Sequence, residues 1–159
     1  MGVKYDKLDL MLISELRNDC KQSVRALSKK LGSHPNTILL RIKNLEKEGI
    51  VLKYAAVINF NKIGYDLHSL IWVKVDKKTR SEWDILTELS KFSELVAGYA
   101  ITGTYDALVV ARTKDRTELT ALLKKINTKN YIIETKTELV LETFKHDYEF
   151  NPLWGKIEI

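Results

Sequence analysis

Cysteine is nearly absent from this 159-residue chain: Cys20 stands alone, so no intrachain disulfide can form and a disulfide-stapled secreted scaffold is excluded. Histidine is almost as scarce. His34, His68 and His146 are widely spaced, and with one thiol they give no metal-ligand pattern, so neither a metal nor any other cofactor is expected. With two prolines and no low-complexity tract, the chain is expected to fold throughout. No apolar run approaches the length of a membrane span, and the opening MGVKYDKLDL lacks an apolar signal core. Asp6 stands where a myristoylation site needs Ser or Thr. The expectation is a cytoplasmic protein with no membrane partner.

What is present is ordinary in amount and uneven in place. Apolar residues at 45% and charged residues at 30% are globular values, and the length suits one compact domain or two small ones. The formal net charge is +5. Residues 1–60 hold eleven Lys and Arg against six Asp and Glu, whereas the remainder holds fifteen of each. All of the excess is therefore N-terminal. Attraction to a polyanion depends on local charge, so this is the pattern of a polyanion-binding module joined to a neutral one; a merely soluble basic surface would look the same.

The first sixty residues read as three helices. Asp6, with Asp9 three residues on, caps the first, whose apolar stripe is Leu8, Leu12 and Leu16, widened by Ile13, with an end near Asn18. Ser23 starts a short second helix bearing Val24, Leu27 and Leu31, stopped by Gly32. Ser28 is small enough to let its neighbour approach. In GSHPNTILLRIKNLEKEG, either Ser33 or His34 caps a third helix, Pro35 suits its first position, and Gly49 closes it. At about 100° per residue, Ile38, Ile42 and Leu45 share the inward stripe. Asn36, Leu40, Lys43 and Lys47 lie opposite, flanked by Thr37 and Asn44.

Two helices joined by a tight turn, the second carrying amides and cations outward, form a helix-turn-helix pattern whose second helix enters a DNA major groove. The following IVLKYAAVINF is rich in β-branched and aromatic residues and reads as a strand or two-stranded wing. Asn36, Thr37, Leu40 and Asn44 are the candidate base contacts: Asn can pair bidentately with adenine, and Leu can pack on a thymine methyl. Arg25, Lys29, Lys30 and Lys53 are candidate phosphate clamps, and His34, Lys43 and Lys47 belong to the same surface. Arg41, nearer the core stripe, goes to a phosphate or to a carboxylate of its own domain. Leu39 is expected to pack on the wing or a neighbouring subunit. A plain three-helix bundle with a basic face has the same periodicity.

From Asp66 onward the periods run strand, helix, strand, strand, helix, strand: DLHSLIWVKVD, SEWDILTELSKF, LVAGYAIT, ALVVART, TELTALLKKINT and IIETKTELVLETF. The first helix turns Ile85, Leu86, Leu89 and Phe92 inward, and the second Leu119, Leu122, Leu123 and Ile126. A βαββαβ order predicts a ferredoxin-like antiparallel sheet with both helices on one face, making the chain α+β. The first strand is apolar on both parities, with Leu67, Ile71, Val73 and Val75 against Leu70 and Trp72. Two such sheets facing each other in a homodimer would cover the second face. The loop TGTYD offers two hydroxyls, a flexible Gly103 and the Asp106 anion, a set able to hold a small zwitterion and equally the makings of an ordinary turn. The FNPLWGKIEI tail, with Phe150, Leu153 and Trp154, is expected to pack on a body surface or across an interface.

The segments YDKLDLMLISEL, RALSKKLGSHPNTILLRIKNLEKEGIV, GYAITGTYDALVVA and KTELVLETFK, in that order, resemble the Lrp/AsnC family of transcriptional regulators. The resemblance implies a winged helix-turn-helix over residues 1–50, a wing or linker strand over 51–65, and a ferredoxin-like effector-binding and dimerisation domain over 66–159. It further implies dimers that assemble into octamers, double-stranded DNA as partner, and control by a small effector, an amino acid or related metabolite. By motif the effector loop falls on Thr102, Gly103, Thr104, Tyr105 and Asp106. Glu134, Thr135, Lys136 and Thr137, with Glu138, would come from a neighbouring subunit. His34 departs from the more usual Ser at the turn, which bears on half-site preference.

Two other functions share this layout. Decarboxylases of alternative haem biosynthesis have it, but the C-terminal half holds only His68 and His146 and no adjacent acid-base pair, so no enzyme is expected. An architectural DNA-compacting protein would use the same fold and charge, and differs only in its ratio of specific to non-specific affinity.

Overall fold

The computed structural model describes residues 5–78 and 81–146, and the FNPLWGKIEI tail lies outside them. The chain forms two compact units that divide between Val57 and Ile58.

The first unit is built from α1 (Lys7–Asn18), α2 (Val24–Leu31) and α3 (Pro35–Lys47). Each starts on the residue type that its unpaired N–H groups require. Asp6 and Asp9 close a full capping box on α1, and the Ser23 side chain accepts from Ala26 N–H on α2. Of the two candidates at α3, His34 is the cap: its Nδ1 accepts the Asn36 N–H at 3.2 Å. Gly32, at φ 61, makes the left-handed turn between α2 and α3. Ser28 contributes more than small size, because its Oγ donates to the Ser33 carbonyl at 2.6 Å and locks that turn. Leu12, Leu27, Ile38 and Leu45 are all at most 2% exposed and form the core, with Leu8, Leu16, Val24, Leu31 and Ile42 around them. Burying each of these four stabilises the unit by about 1.5–3 kcal/mol.

The strand expected from IVLKYAAVINF does not form within the chain: no strand lies between Ile50 and Asn59. The Ile50 and Val51 N–H groups donate to the Leu45 carbonyl, closing the end of α3 instead of joining a ladder. Beyond them, Leu52, Val57 and Ile58 are exposed. β-propensity makes a strand only where a second backbone receives its N–H and C=O groups, and this unit offers none. Phe60–Ile63 is a 3-10 turn, capped by Asn59 and closed by Gly64.

The second unit contains β1 (Leu67–Val75), α4 (Glu82–Leu89), β2 (Leu95–Ala100), β3 (Ala107–Thr113), α5 (Arg116–Asn127) and β4 (Ile132–Leu139). Its sheet runs β2-β3-β1-β4 with every neighbour antiparallel, the ferredoxin-like arrangement read from the sequence. Central β1 alternates: Ser69, Ile71, Val73 and Val75 are buried, while Leu70 and Trp72 on the opposite parity are half-buried. Ile85 and Leu89 of α4 and Leu122 and Ile126 of α5 pack against the buried parity. Two elements are shorter than their sequence patterns suggested. α4 stops at Leu89, with Phe92 still packed on the core, and β4 stops at Leu139. Leu139 pairs with Ser69 and the Val140 N–H with His68, so β1 runs out and leaves Leu141 and Phe144 fully exposed.

The loop between β2 and β3 is held at its base by Asp106. Its Oδ2 accepts the Val75 N–H at 2.9 Å, its Oδ1 lies 2.8 Å from Lys77 Nζ, and Lys77 also pairs with Glu82 of α4. Burial alone would raise the Asp106 carboxyl, but the Lys77 ion pair and the Val75 N–H outweigh it and hold it below the usual carboxylate range.

Because that pKa is depressed on folding, the stability it confers is present above roughly pH 4 and lost as pH falls through the folded value. Asp106→Asn is therefore expected to flatten the acid limb of stability against pH, measured by urea unfolding across that range. In the first unit, Ile38→Ala should cost about 2–5 kcal/mol and Leu40→Ala no more than about 0.5, by the same measurement.

Candidate functional site

The outward face of α3 is a polar surface on a rigid element. Asn36, Leu40, Lys43, Asn44 and Lys47 are exposed along it, and Thr37 is half-buried at its edge. Leu40 is 60% exposed, an uncompensated apolar side chain in the middle of a cationic face. Leu39, expected to be packed, is 42% exposed within the chain, so no contact in this unit buries it. On α2, Arg25 and Lys29 are exposed, as is Lys53 after α3.

Three of the expected DNA contacts are engaged inside the unit. Lys30 Nζ sits 2.8 Å from Glu15 Oε2, and this bond, with help from Gln22, holds the Glu15 carboxyl below its usual range despite partial burial. Arg41 takes the carboxylate alternative: its Nη1 is 2.6 Å from Asp6 and 2.9 Å from Asp9. His34 spends its Nδ1 on the cap. The His34 cap and a carboxylate partner for Arg41 were each one of two alternatives readable in sequence, but the specific partners of Lys30 and Arg41, 15 to 35 residues away on another element, were not. Tyr54 was also missed. Its hydroxyl donates to Glu46 Oε1 at 2.9 Å, and burial, then the Glu46 carboxylate, push the phenol up to about 12. The segment after α3 is thus tied to the flank of that helix without being a strand.

In the second unit, Thr102, Gly103 and Thr104 form an exposed loop, with Gly103 at φ 115, a conformation that side-chain-bearing residues rarely adopt. Tyr105 leans from it over the open face of the sheet. Its hydroxyl donates to Glu134 Oε1 at 3.0 Å, and its ring lies 6.1 Å from that of Trp72. Trp72 Nε1 donates to Glu138 Oε2 at 3.1 Å, and Glu138 pairs with Lys136 at 2.7 Å. Glu134 and Glu138 therefore reach Tyr105 and Trp72 of their own chain, with Lys136 held beside them by Glu138. Thr135 and Thr137 do not share this surface: they pair with Val73 and Ile71 on the helix side, where the Thr135 hydroxyl donates to Asn127. Trp72 was read only as part of an apolar parity, and its place on the helix-free face is the signal that it belongs to the site. Asp106 is committed to Val75 and Lys77, so it shapes the loop and is not a free anion. Among the described residues no group of His, Cys, Asp or Glu is placed to hold a metal ion, and no helix is long and apolar enough to cross a membrane.

Residues 5–51 match the winged helix-turn-helix DNA-binding family, and residues 69–150 match the Lrp/AsnC ligand binding domain. The HTH-type transcriptional regulator FL11 of Pyrococcus horikoshii is 36% identical over 149 residues, spanning 94% of this chain and 97% of that one. Its namesake in Pyrococcus furiosus is 35% identical over 144 residues, spanning 91% and 94%. Among solved structures, a transcriptional regulator from Neisseria meningitidis in complex with L-Met superposes with a TM-score of 0.85 at 26% identity, covering 90% of this chain and 94% of that one. A feast or famine regulatory protein from M. tuberculosis complexed with L-methionine gives 0.84 at 25% identity, covering 89% and 95%. With both units matched in the same order, the chain belongs to the Lrp/AsnC family: it is a DNA-binding transcriptional regulator and not an enzyme.

Proposed function

We propose that the protein is a sequence-specific regulator in which α3 reads base edges and a small effector, an amino acid, modulates assembly or DNA affinity. The observation that carries the reading is the outward face of α3, where Asn36, Leu40 and Asn44 stand exposed among Lys43 and Lys47. Amide side chains can pair with adenine, and Leu40 has the shape for a thymine methyl. Arg25, Lys29 and Lys53, all exposed, serve as phosphate contacts, which position the helix without reading sequence. Lys30, Arg41 and His34 serve the surface indirectly, through the contacts they make inside the unit. A dimer would present two such helices to half-sites about one turn of duplex apart.

The dimer itself is supported by the helix-free face of the sheet, where Leu70, Trp72, Leu108 and Val110 remain half-buried. Apolar surface of that kind favours a second copy, and four such dimers would build the octamer. The effector reading rests on the Thr102–Tyr105 loop beside the Glu134 carboxylate, an arrangement suited to an ammonium group next to hydroxyl donors. Relatives solved with L-Met and L-methionine make amino acids the first ligands to try. The work takes place in the cytoplasm.

Asn36→Ala should relax discrimination at one base pair by about 1–3 kcal/mol, while Lys29→Ala weakens all duplexes alike and reduces the salt slope by about 1. Binding assays on selected and random duplexes measure both, and identical effects of the two variants on random DNA would refute base reading. Calorimetric titration should show saturable binding of L-methionine or another amino acid, weakened about tenfold or more (~1.4 kcal/mol) by Glu134→Gln. Absence of heat with every amino acid, with assembly unchanged, removes the effector role. A specific-to-random ratio near one at physiological salt would point instead to architectural binding.

A further inference from the structure

The reading surface of α3 exists only at one rotation of the helix about its axis. A turn of about 100°, one residue, would replace Leu40 with Arg41 or Leu39 at the same azimuth. The apolar stripe Ile38, Ile42 and Leu45 holds the helix down, but apolar contact is non-directional and tolerates small rotations. Something directional must set the angle.

Arg41 supplies it. On the flank of α3 between core and reading face, its Nη1 sits 2.6 Å from Asp6 Oδ2 and 2.9 Å from Asp9 Oδ1. The remaining oxygens of the same carboxylates are already bound: Asp6 Oδ1 accepts the Asp9 N–H at 2.9 Å, and Asp9 Oδ2 accepts the Asp6 N–H at 3.1 Å. All four oxygens are thus used, and the capping box that starts α1 doubles as the receptor for the guanidinium. Neither carboxylate can swing away without uncapping α1, so the receptor is rigid. With two anions around one cation, the cluster is net negative and repels a phosphate. A planar guanidinium facing two fixed carboxylates is also angle-specific in a way that an ammonium is not.

We propose that Arg41 is a positioning residue which, through the α1 capping box, sets the rotation of α3 and hence the sequence it reads, and that it does not touch DNA. This rests on α3 being the reading helix. The local consequence is a dependence of specificity on two acidic residues at the start of a different helix.

The two roles of Arg41 make opposite demands on a measurement. The test uses the full chain, a duplex selected from a random pool by the wild-type protein, and a random duplex, each titrated over a salt series. Asp6→Ser with Asp9→Asn keeps an acceptor for each cap N–H while removing both charges, and thermal melting confirms that it folds. This variant and Arg41→Gln should each lower the selected-to-random affinity ratio about tenfold or more, the size of one lost base reading. The triple variant should lose no more than either, because all three residues serve one interaction. The salt slope of Arg41→Gln should match wild type. A slope reduced by about 1 in Arg41→Gln, additive losses in the triple variant, or an unchanged ratio in Asp6→Ser with Asp9→Asn each overturns the proposal. An Asn36→Ala variant that leaves the ratio intact would instead remove the reading helix itself, a separate failure.

Discussion

A helix or a sheet has two sides, and a unit of fifty to ninety residues can bury only one of them. The rest of this structure follows from that constraint. In the first unit α3 spends Ile38, Ile42 and Leu45 on the core shared with Leu12 and Leu27, and its other side is left to solvent or to a partner. In the second unit the helices cover the parity of β1 that carries Ile71, Val73 and Val75, and the parity of Leu70 and Trp72 is left open. Both proposed functional surfaces are these leftover sides. The proposed reading face is what remains of a helix after its core stripe, and the proposed ligand and assembly face is what remains of a sheet after its helices.

The leftover sides stay rigid because charged and polar groups pin them from their flanks. Arg41 ties α3 to α1, Tyr54 ties the following segment to Glu46, and Ser28 locks the turn before α3. Asp106, which reads in sequence as an anion offered to a ligand, instead pins its own loop to the end of β1 and, through Lys77, to α4. Exposed ion pairs contribute little stability, about 0–1 kcal/mol each. On the proposed role of Arg41 their value is angular, selecting one arrangement among several that hydrophobic burial would accept.

How much was legible beforehand depended on the range of the interaction. The caps at Asp6 and Ser23, the stop at Gly32, the inward stripes and the βαββαβ order were all readable, because each rests on residues within a turn or two of one another. The strand expected over 50–60 does not form within the chain, because a β-rich composition says nothing about whether a backbone lies alongside to pair with. Leu39 stays exposed within the chain, which leaves a neighbouring subunit as the partner for it. The specific partners of Lys30 and Arg41 and the link from Tyr105 to Glu134 had no sequence signal, and strand alternation separates Glu134, Lys136 and Glu138 from Thr135 and Thr137 without saying which set faces Tyr105.

By itself the sequence determined which elements form and which stripe of each turns inward, because capping, helical propensity and hydrophobic period act over a few residues. It also determined that the excess positive charge lies in the first sixty residues. Only the tertiary structure decided which charges are left for a partner and which are consumed internally, and which side chains of β4 share a surface with Tyr105. Those outcomes turn on distances of about 3 Å between groups far apart in the chain, and no local rule encodes such a distance.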